Sequence, residues 1–200
     1  MLNIGRDVGS IVGELFDPER EGALSLQGVL SESFRRGMLD EMKRLEPSFV
    51  TNPRVYMNAV QEMRFLAWTD RGETPMIAEL DGCYDGFYAS LSEEAGFQQA
   101  ERCLHLLRYW PGSSGIGLHR DESKYRNIVS IFVVEGDAPF YVANVRDMDR
   151  ARVVDASPGS LVLLRAPRSD AEKSMRPFHA VGEVKQGRYV AAFCQREHKP

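Results

Sequence analysis

The sequence predicts an α+β fold that is mainly β, with N-terminal helices packed against an antiparallel β-sandwich. From Leu104 onward, short β-branched or aromatic runs alternate with turn residues, and the intervals show no helical period. Several of the turns contain Gly next to Pro or Asp. The runs cover Leu104–Trp110, Asn127–Val134, Phe140–Val145, Ser160–Leu164, Phe178–Val181 and Tyr189–Cys194.

The first hundred residues mix helical and extended patterns. Ser31 can cap a helix that ends by Pro47, because apolar residues recur at three- and four-residue spacing, namely Phe34, Met38, Met42 and Leu45. Residues 55–68 fit either a strand or a helix, and residues 72–75 predict a loop. We expect a second helix near residues 91–102.

The chain is long and apolar enough to form one domain over residues 1–200, with 43% hydrophobic residues and no linker or repeat. Within it, we expect residues 1–103 to form a helical or mixed buttress that also supplies a substrate pocket. Residues 104–200 should form the β core. No apolar run could cross a bilayer and no signal-peptide pattern begins the sequence, so we expect a cytoplasmic protein.

The charge is divided unevenly along the chain. Residues 1–104 hold 10 basic and 18 acidic side chains, whereas residues 105–200 hold 15 and 11. The overall charge of −4 argues against extensive binding to nucleic-acid phosphates. A basic C-terminal half is compatible with a small anionic ligand, but also with ordinary variation of surface charge.

The three cysteines, Cys83, Cys103 and Cys194, are widely spaced and odd in number. No pair has the close spacing of a zinc knuckle or a redox motif. The sequence therefore predicts reduced and mostly buried thiols.

The first candidate metal ligands are His119 and Asp121. Residues two apart on an extended chain point to the same side, so an imidazole and a carboxylate can converge here on one atom. These are two of the three donors of the facial triad in non-haem Fe(II) sites. A histidine two residues from an acid also occurs by chance, so the pair alone decides nothing.

A second histidine lies in a comparable setting near the C-terminus. His179 belongs to a strand-like run, a turn with Gly187 follows, and Arg188 opens the next strand. If the two strands pair, Arg188 can point into the same cavity as His179. A guanidinium binds a carboxylate through two parallel hydrogen bonds and keeps its charge. By itself, His179 fits a hydrogen-bonded strand residue better than a metal ligand.

The combined pattern resembles the 2-oxoglutarate- and Fe(II)-dependent dioxygenase superfamily. His119-x-Asp121 is followed 60 residues later by His179 and nine residues after that by Arg188, and a Pro158-Gly159-Ser-Leu-Val-Leu-Leu run precedes the second histidine. The resemblance covers about residues 104–196. It implies a double-stranded β-helix, that is, a jelly roll or cupin-like core, with residues 104–200 as its catalytic part.

The resemblance also implies roles for individual residues. His119, Asp121 and His179 would be the catalytic Fe(II) ligands, and Arg188 would bind the far carboxylate of the cosubstrate 2-oxoglutarate. The Arg108-Tyr109-Trp110-Pro111-Gly112 phrase is similar to the alkylated-nucleic-acid repair branch, where a tyrosine holds the cosubstrate, which implies that role for Tyr109. Dioxygen is the other cosubstrate, and ascorbate could support activity. The intact Asp121 favours hydroxylation or oxidative demethylation over halogenation.

Other candidates surround this pattern. A basic set could attract an anionic substrate or be a solvated rim: Arg120, Lys124, Arg126, Arg165, Arg168 and Arg176. An N-terminal set could contact substrate: Tyr56, Asn58, Arg64 and Trp68. Residues 166–177 could form a lid or a long connection. We expect His105 in the core, His198 and Glu122 in solvent, and Arg196 as a surface charge rather than a second carboxylate contact.

Three functions are compatible with the sequence. The first is oxygenation of a small molecule, which could be anionic, and the second is the same chemistry on a modified nucleobase or protein side chain. The acidic overall charge favours the first, and the basic set favours the second. The third is a non-catalytic cupin-like domain that binds a metal or an organic acid, although every catalytic position is filled.

Overall fold

The computed structural model describes residues 2–51, 55–56, 59–69, 72–97, 100–168 and 175–196. The first half contains α1 (Val8–Phe16), β1 (Ala23–Leu26), α2 (Glu32–Arg44), a 3₁₀ turn (Glu46–Ser48), β2 (Val50–Thr51), β3 (Val55–Tyr56), β4 (Ala59–Val60), β5 (Arg64–Ala67) and α3 (Pro75–Ala95). The second half contains β6 (Glu101–Tyr109), β7 (Ile116–His119), β8 (Tyr125–Glu135), β9 (Phe140–Ala143), a 3₁₀ turn (Met148–Arg150), β10 (Arg152–Val154), β11 (Leu161–Arg165), β12 (Phe178–Val181) and β13 (Arg188–Arg196).

The strands form two main antiparallel sheets. The larger sheet has the order β1-β11-β8-β13-β6-β5-β2, and the smaller sheet has the order β10-β9-β12-β7. Strands β3 and β4 form a separate hairpin. The two main sheets form the double-stranded β-helix that the sequence predicted. Strands β1, β2 and β5 join the larger sheet from the N-terminal half, while the division at residue 103 stays a prediction.

Side chains alternate between two hydrophobic cores along the strands of the larger sheet. On β13, Ala191 and Phe193 face the core that also contains the helices, whereas Val190 and Cys194 face the core shared with the smaller sheet. Residues of all three helices are buried in the first core. The predicted packing of N-terminal helices against the sheet is therefore confirmed. Among the described helices, none has the length and apolar character needed to span a membrane.

The helix capped by Ser31 is confirmed, because its hydroxyl accepts a hydrogen bond from the amide of Phe34 at 3.3 Å. The helix expected near residues 91–102 is wrong. Helix α3 begins at Pro75, the last residue of the predicted loop, and ends before Gly96, whose φ is +64°. The carboxylate of Glu41, buried on α2, accepts hydrogen bonds from the first-turn amides Met76 (2.8 Å) and Ile77 (2.9 Å) of α3. Pro75 at the first helical position was a local start signal that the sequence analysis did not use, while the contact with Glu41 is visible only in the structure.

Other short elements escaped the sequence analysis. Helix α1 and strands β1, β2, β7 and β10 were not expected, and the ambiguous residues 55–68 contain strands β3, β4 and β5. Strand β5 exists because it pairs with β6, opposite Leu106 and Leu107. Such short strands depend on their partners more than on their own sequence.

Candidate metal centre

His119 and His179 lie directly opposite each other on the paired strands β7 and β12, with ring centroids 4.3 Å apart. Gly115 permits this close pairing, because its φ is +76° and a Cβ there would lie 2.1 Å from the carbonyl oxygen of Val181. His119 Nδ1 lies 2.9 Å from the carbonyl oxygen of Gly117. Since a carbonyl only accepts, Nδ1 carries the ring hydrogen and Nε2 keeps its lone pair.

Asp121 lies two residues beyond β7, and its Oδ1 is 3.7 Å from Nε2 of His179. One donor atom each from His119, Asp121 and His179 lie within 4.8 Å of one another. Protein nitrogen and oxygen ligands stand about 2.0–2.2 Å from a bound transition metal, so all three donors can reach one ion. Arg176 donates a hydrogen bond to the backbone carbonyl of Asp121 and helps to fix this segment.

Burial makes His119 a neutral ligand. Burial lowers the pKa of His119 to about 4, and neighbouring His179 contributes in the same direction, while Asp121 opposes the shift. His119 is therefore uncharged at neutral pH. The ring of Phe140 stacks on His179 at 5.8 Å between centroids and restricts its orientation.

The three candidate ligands border a cavity of about 340 Å³ between the two sheets. Its walls are mostly apolar, with contributions from Met63, Ile116 and Val190. Tyr109 and Arg188, which face each other on β6 and β13, line the same cavity. The structure thus brings all five predicted site residues to one space.

Arg188 is 1% exposed and is a charged group without an acidic neighbour in hydrogen-bond reach among the described residues. Its Nη1 donates to the carbonyl oxygen of Ala156 at 3.2 Å and approaches that of Ala138 at 3.5 Å. Nε has no hydrogen-bond partner in the described structure. Burial lowers the pKa of Arg188, yet a guanidinium stays protonated. A buried cation in this setting favours an anionic ligand.

The structure contradicts part of the predicted basic rim. Arg126 and Arg165 are buried, and Arg165 donates to the backbone carbonyl groups of Met175 and Asp17 at 3.0 Å. Hydrogen bonds to carbonyl groups inside the fold give both arginines a structural role that charge counting could not distinguish. Arg120 lies with its guanidinium carbon 4.2 Å from the ring centroid of Phe178. The remaining basic residues contact partners near the surface: Lys124 with Glu122, Arg168 with the ring of Phe16, and Arg176 as described.

The N-terminal segment contributes Gln61, Met63 and Phe65 to the cavity. The sequence analysis missed them, although their alternate spacing on an extended chain was a usable signal. Of the residues it chose, Arg64 is exposed, and Trp68 donates its indole N–H to the hydroxyl of Thr74 at 2.9 Å. Asn58 and the side chain of Tyr56 lie outside the described residues, as do His198 and residues 169–174 of the suggested lid.

Three residues that the sequence analysis placed outside the site line the cavity. His105 is half-buried as expected, but it borders the cavity. Arg196 is partly exposed, and its Nη2 lies 3.2 Å from Nε2 of His105 at the cavity wall. Glu122 is partly exposed and also lines the cavity. Strand β7 ends at His119. The alternation of side chains along a strand, which would turn Glu122 toward solvent, therefore does not reach residue 122.

Comparison with known proteins identifies the fold. No family model and no curated protein matches the sequence. A prolyl-4-hydroxylase from Pseudomonas putida is similar in structure, with a TM-score of 0.74 at 12% identity over 96% of this chain and 100% of that one. A prolyl hydroxylase from Trichoplax adhaerens, solved with a hypoxia-inducible-factor peptide, has a TM-score of 0.73 at 14% identity over 94% and 90%.

A non-haem α-ketoglutarate-dependent epimerase from nogalamycin biosynthesis is also similar, with a TM-score of 0.67 at 14% identity over 95% of this chain and 82% of that one. α-Ketoglutarate is another name for 2-oxoglutarate. The chain therefore has the double-stranded β-helix fold of 2-oxoglutarate- and Fe(II)-dependent oxygenases. The fold that the sequence resemblance implied is confirmed.

Proposed function

We propose that the chain is a 2-oxoglutarate- and Fe(II)-dependent dioxygenase that hydroxylates, or oxidatively demethylates, a small molecule. One observation carries the proposal: the donors of His119, Asp121 and His179 lie within 4.8 Å of one another beside a cavity that also holds the buried guanidinium of Arg188. The bound iron would supply the position at which 2-oxoglutarate is oxidatively decarboxylated by dioxygen.

The donor set fits ferrous iron. Two neutral imidazoles and one carboxylate form the facial triad that leaves open positions in non-haem Fe(II) sites. The Gly117 carbonyl group accepts from Nδ1 of His119 and so sets the tautomer in which Nε2 carries the lone pair. Because burial lowers the pKa of His119 to about 4, this imidazole needs no deprotonation at neutral pH before it binds a divalent cation.

Arg188 would bind the far carboxylate of 2-oxoglutarate through its planar fork. Tyr109 lies beside it, and burial raises the pKa of this phenol to about 12, so the hydroxyl group stays a hydrogen-bond donor at neutral pH. The apolar walls exclude water from the reacting groups and strengthen this ion pair. Arg188 and Tyr109 would thus orient the cosubstrate.

The size of the cavity supports a small reacting group. A volume of about 340 Å³ is near the lower end of small-molecule sites, and it must hold both the cosubstrate and the oxidised group. The half-buried Arg196 in its wall could bind an anionic substituent. These features favour a compact substrate, which could be anionic.

A protein side chain is the second candidate substrate. The similar fold of the Trichoplax adhaerens enzyme, solved with a peptide, favours it. One side chain projecting from an extended segment would fit a cavity of this volume as well as a free metabolite would. A nucleobase has less support, because the chain is acidic overall.

We also propose a cytoplasmic location, where the three free cysteines would remain reduced.

The test is release of succinate from 2-oxoglutarate by the purified chain with Fe(II), ascorbate and dioxygen. Cell extract would be separated into a metabolite fraction and a peptide fraction, and each would be added separately. Stimulation by the metabolite fraction is the expected result, whereas stimulation by peptides alone would establish the second candidate. The variant His179→Ala should release none. Binding of iron and 2-oxoglutarate without succinate from any fraction would show a non-catalytic binding domain instead.

A further inference from the structure

Two of the three cysteines meet beside the cavity. Cys103 on β6 and Cys194 on β13 are directly opposite each other in an antiparallel pair. Their sulfur atoms and a ring nitrogen of His105 lie within 4.8 Å of one another. Cys194 is 2% exposed and borders the cavity, while Cys103 is half-buried. Ninety residues of sequence separate the two thiols, so no local motif indicates the pair.

We propose that Cys103 and Cys194 form a reversible disulfide, which makes the cavity wall a site of oxidative modification. Opposite residues of an antiparallel pair have Cα atoms about 4.5–5.5 Å apart. Disulfides span Cα distances of about 4.4–6.8 Å. The backbone therefore already has the separation that the bond requires, and only side-chain rotation is needed.

The neighbours of the pair favour thiol chemistry over metal binding. Arg196 lies with Nη2 3.2 Å from Nε2 of His105, and a guanidinium can only donate, so Nε2 is the acceptor. Nδ1 of His105 then carries the ring hydrogen and points at the sulfur of Cys194, 3.8 Å away. This arrangement leaves Nδ1 without a lone pair for a metal ion, which favours thiol chemistry over a soft-metal site.

The two thiols differ in acidity, as expected for an attacking and a resolving cysteine. A hydrogen bond with the Cys194 side chain lowers the pKa of Cys103 to about 7. The charge of Arg196 acts in the same direction, although burial opposes the shift. The same hydrogen bond and burial raise the pKa of Cys194 well above its ordinary value. Cys103 is therefore the nucleophile, because reactivity follows the thiolate.

Hydrogen peroxide is a sufficient oxidant. The Cys103 thiolate attacks one peroxide oxygen, the O–O bond breaks, and the departing hydroxide takes a proton to become water. The Cys194 sulfur then attacks the sulfenic acid, the S–O bond breaks, and a second water leaves with the Cys194 proton. Two thiols and one peroxide give one disulfide and two waters. The disulfide is uncharged, so Arg196 loses the negative charge of the neighbouring Cys103 thiolate.

The test uses the full chain at low concentration with equimolar hydrogen peroxide, followed by alkylation and non-reducing peptide mapping. We expect two of the three thiols to be lost, a Cys103–Cys194 linked peptide lighter by two hydrogen atoms, and full recovery with dithiothreitol. Cys83 lies on α3 away from the pair, so Cys83→Ser is the matched control and should form the same link.

The single variants Cys103→Ser and Cys194→Ser should give no intramolecular link. In Cys194→Ser, Cys103 should stop at sulfenic acid or proceed to sulfinic acid. The proposal is overturned if the wild-type chain keeps all three thiols, links Cys83 instead, or oxidises Cys103 beyond sulfenic acid without a link. Neither iron nor 2-oxoglutarate is needed in this experiment, so its outcome is independent of the proposed oxygenase activity.

Discussion

His119 and His179 form a cross-strand pair whose ring centroids are 4.3 Å apart, although 60 residues separate them in the sequence. The antiparallel pairing of β7 with β12 therefore assembles most of the candidate metal centre. Asp121 completes it from the segment that follows β7. A site built from strand pairing should be rigid before any metal binds, and its ligands can be tested one at a time.

Asp121→Ala should weaken Fe(II) binding by more than about 100-fold, since even the loss of an outer hydrogen bond to a metal ligand costs about 10–100-fold. The melting temperature of the metal-free chain should change little, because Asp121 is partly exposed. Iron content after dialysis against a competing chelator measures the effect. The exposed Asp149→Ala serves as control and should bind iron normally. Normal iron retention by Asp121→Ala would exclude this carboxylate as a ligand.

Arg188→Met should reduce 2-oxoglutarate affinity by about a hundred- to several-thousand-fold, because leaving a buried carboxylate unpaired costs about 3–5 kcal/mol. The ligand-free variant should be as stable as the wild type or more stable, since methionine replaces a buried charge with an apolar group of similar length. Calorimetric titration and thermal unfolding measure the two quantities. Arg150→Met, at an exposed site, should change neither. Unchanged affinity in Arg188→Met would place the cosubstrate elsewhere.

The metal-free protein should lose stability as the pH falls from about 6.5 to 4. Burial lowers the pKa of His119 from an ordinary 6.5 to about 4, so in this range the unfolded chain binds a proton that the folded chain does not. The loss of stability is zero well above pH 6.5 and approaches its full value of about 3 kcal/mol near pH 4. Urea unfolding at several pH values should show a smaller loss for His119→Gln. Equal losses of stability in both proteins would show that His119 does not cause the pH dependence.

Arg196→Gln should raise the pKa of Cys103, because the guanidinium is one of the groups that lower it to about 7. At pH 7, alkylation of Cys103 by iodoacetamide should slow by roughly threefold or more, since the thiolate is the reactive form. The rate at pH 9.5 should differ much less. Cys83 provides an internal reference whose rate should stay constant. An unchanged Cys103 rate at pH 7 would remove Arg196 from the thiol environment.

Tyr84→Phe should lower the free energy of unfolding by about 1–3 kcal/mol, because two buried hydrogen-bonding groups lose their partner. The hydroxyl of Tyr84 on α3 lies 2.9 Å from that of Ser130 on β8 and 3.1 Å from Nε2 of Gln195 on β13. Denaturant unfolding measures the change. Tyr141→Phe is a suitable control on β9, where the ring is only half-buried. A loss no greater than the control's would show that the Tyr84 hydroxyl adds no stability beyond the packing of its ring.

Residue types and spacing were enough to predict much of the site. His119 and Asp121 are two apart near an extended segment, and the donor pattern with His179 and Arg188 needs only side-chain chemistry. Their convergence on one cavity is now observed, while their roles in binding iron and 2-oxoglutarate stay predictions. The buried positions of Arg126 and Arg165 were beyond the sequence, because a charge count does not distinguish an exposed arginine from one bonded to interior carbonyl groups.

The sequence by itself determined the strand-rich second half, the helix that Ser31 caps and the candidate donor set, because these depend on local alternation, capping and side-chain chemistry. Only the tertiary structure decided that Glu41 caps the first turn of α3 and that Cys103 faces Cys194. Those features depend on contacts between residues far apart in the chain. The register of β6 against β13 fixes which side chains meet, and that register depends on both strands and on the core that they share.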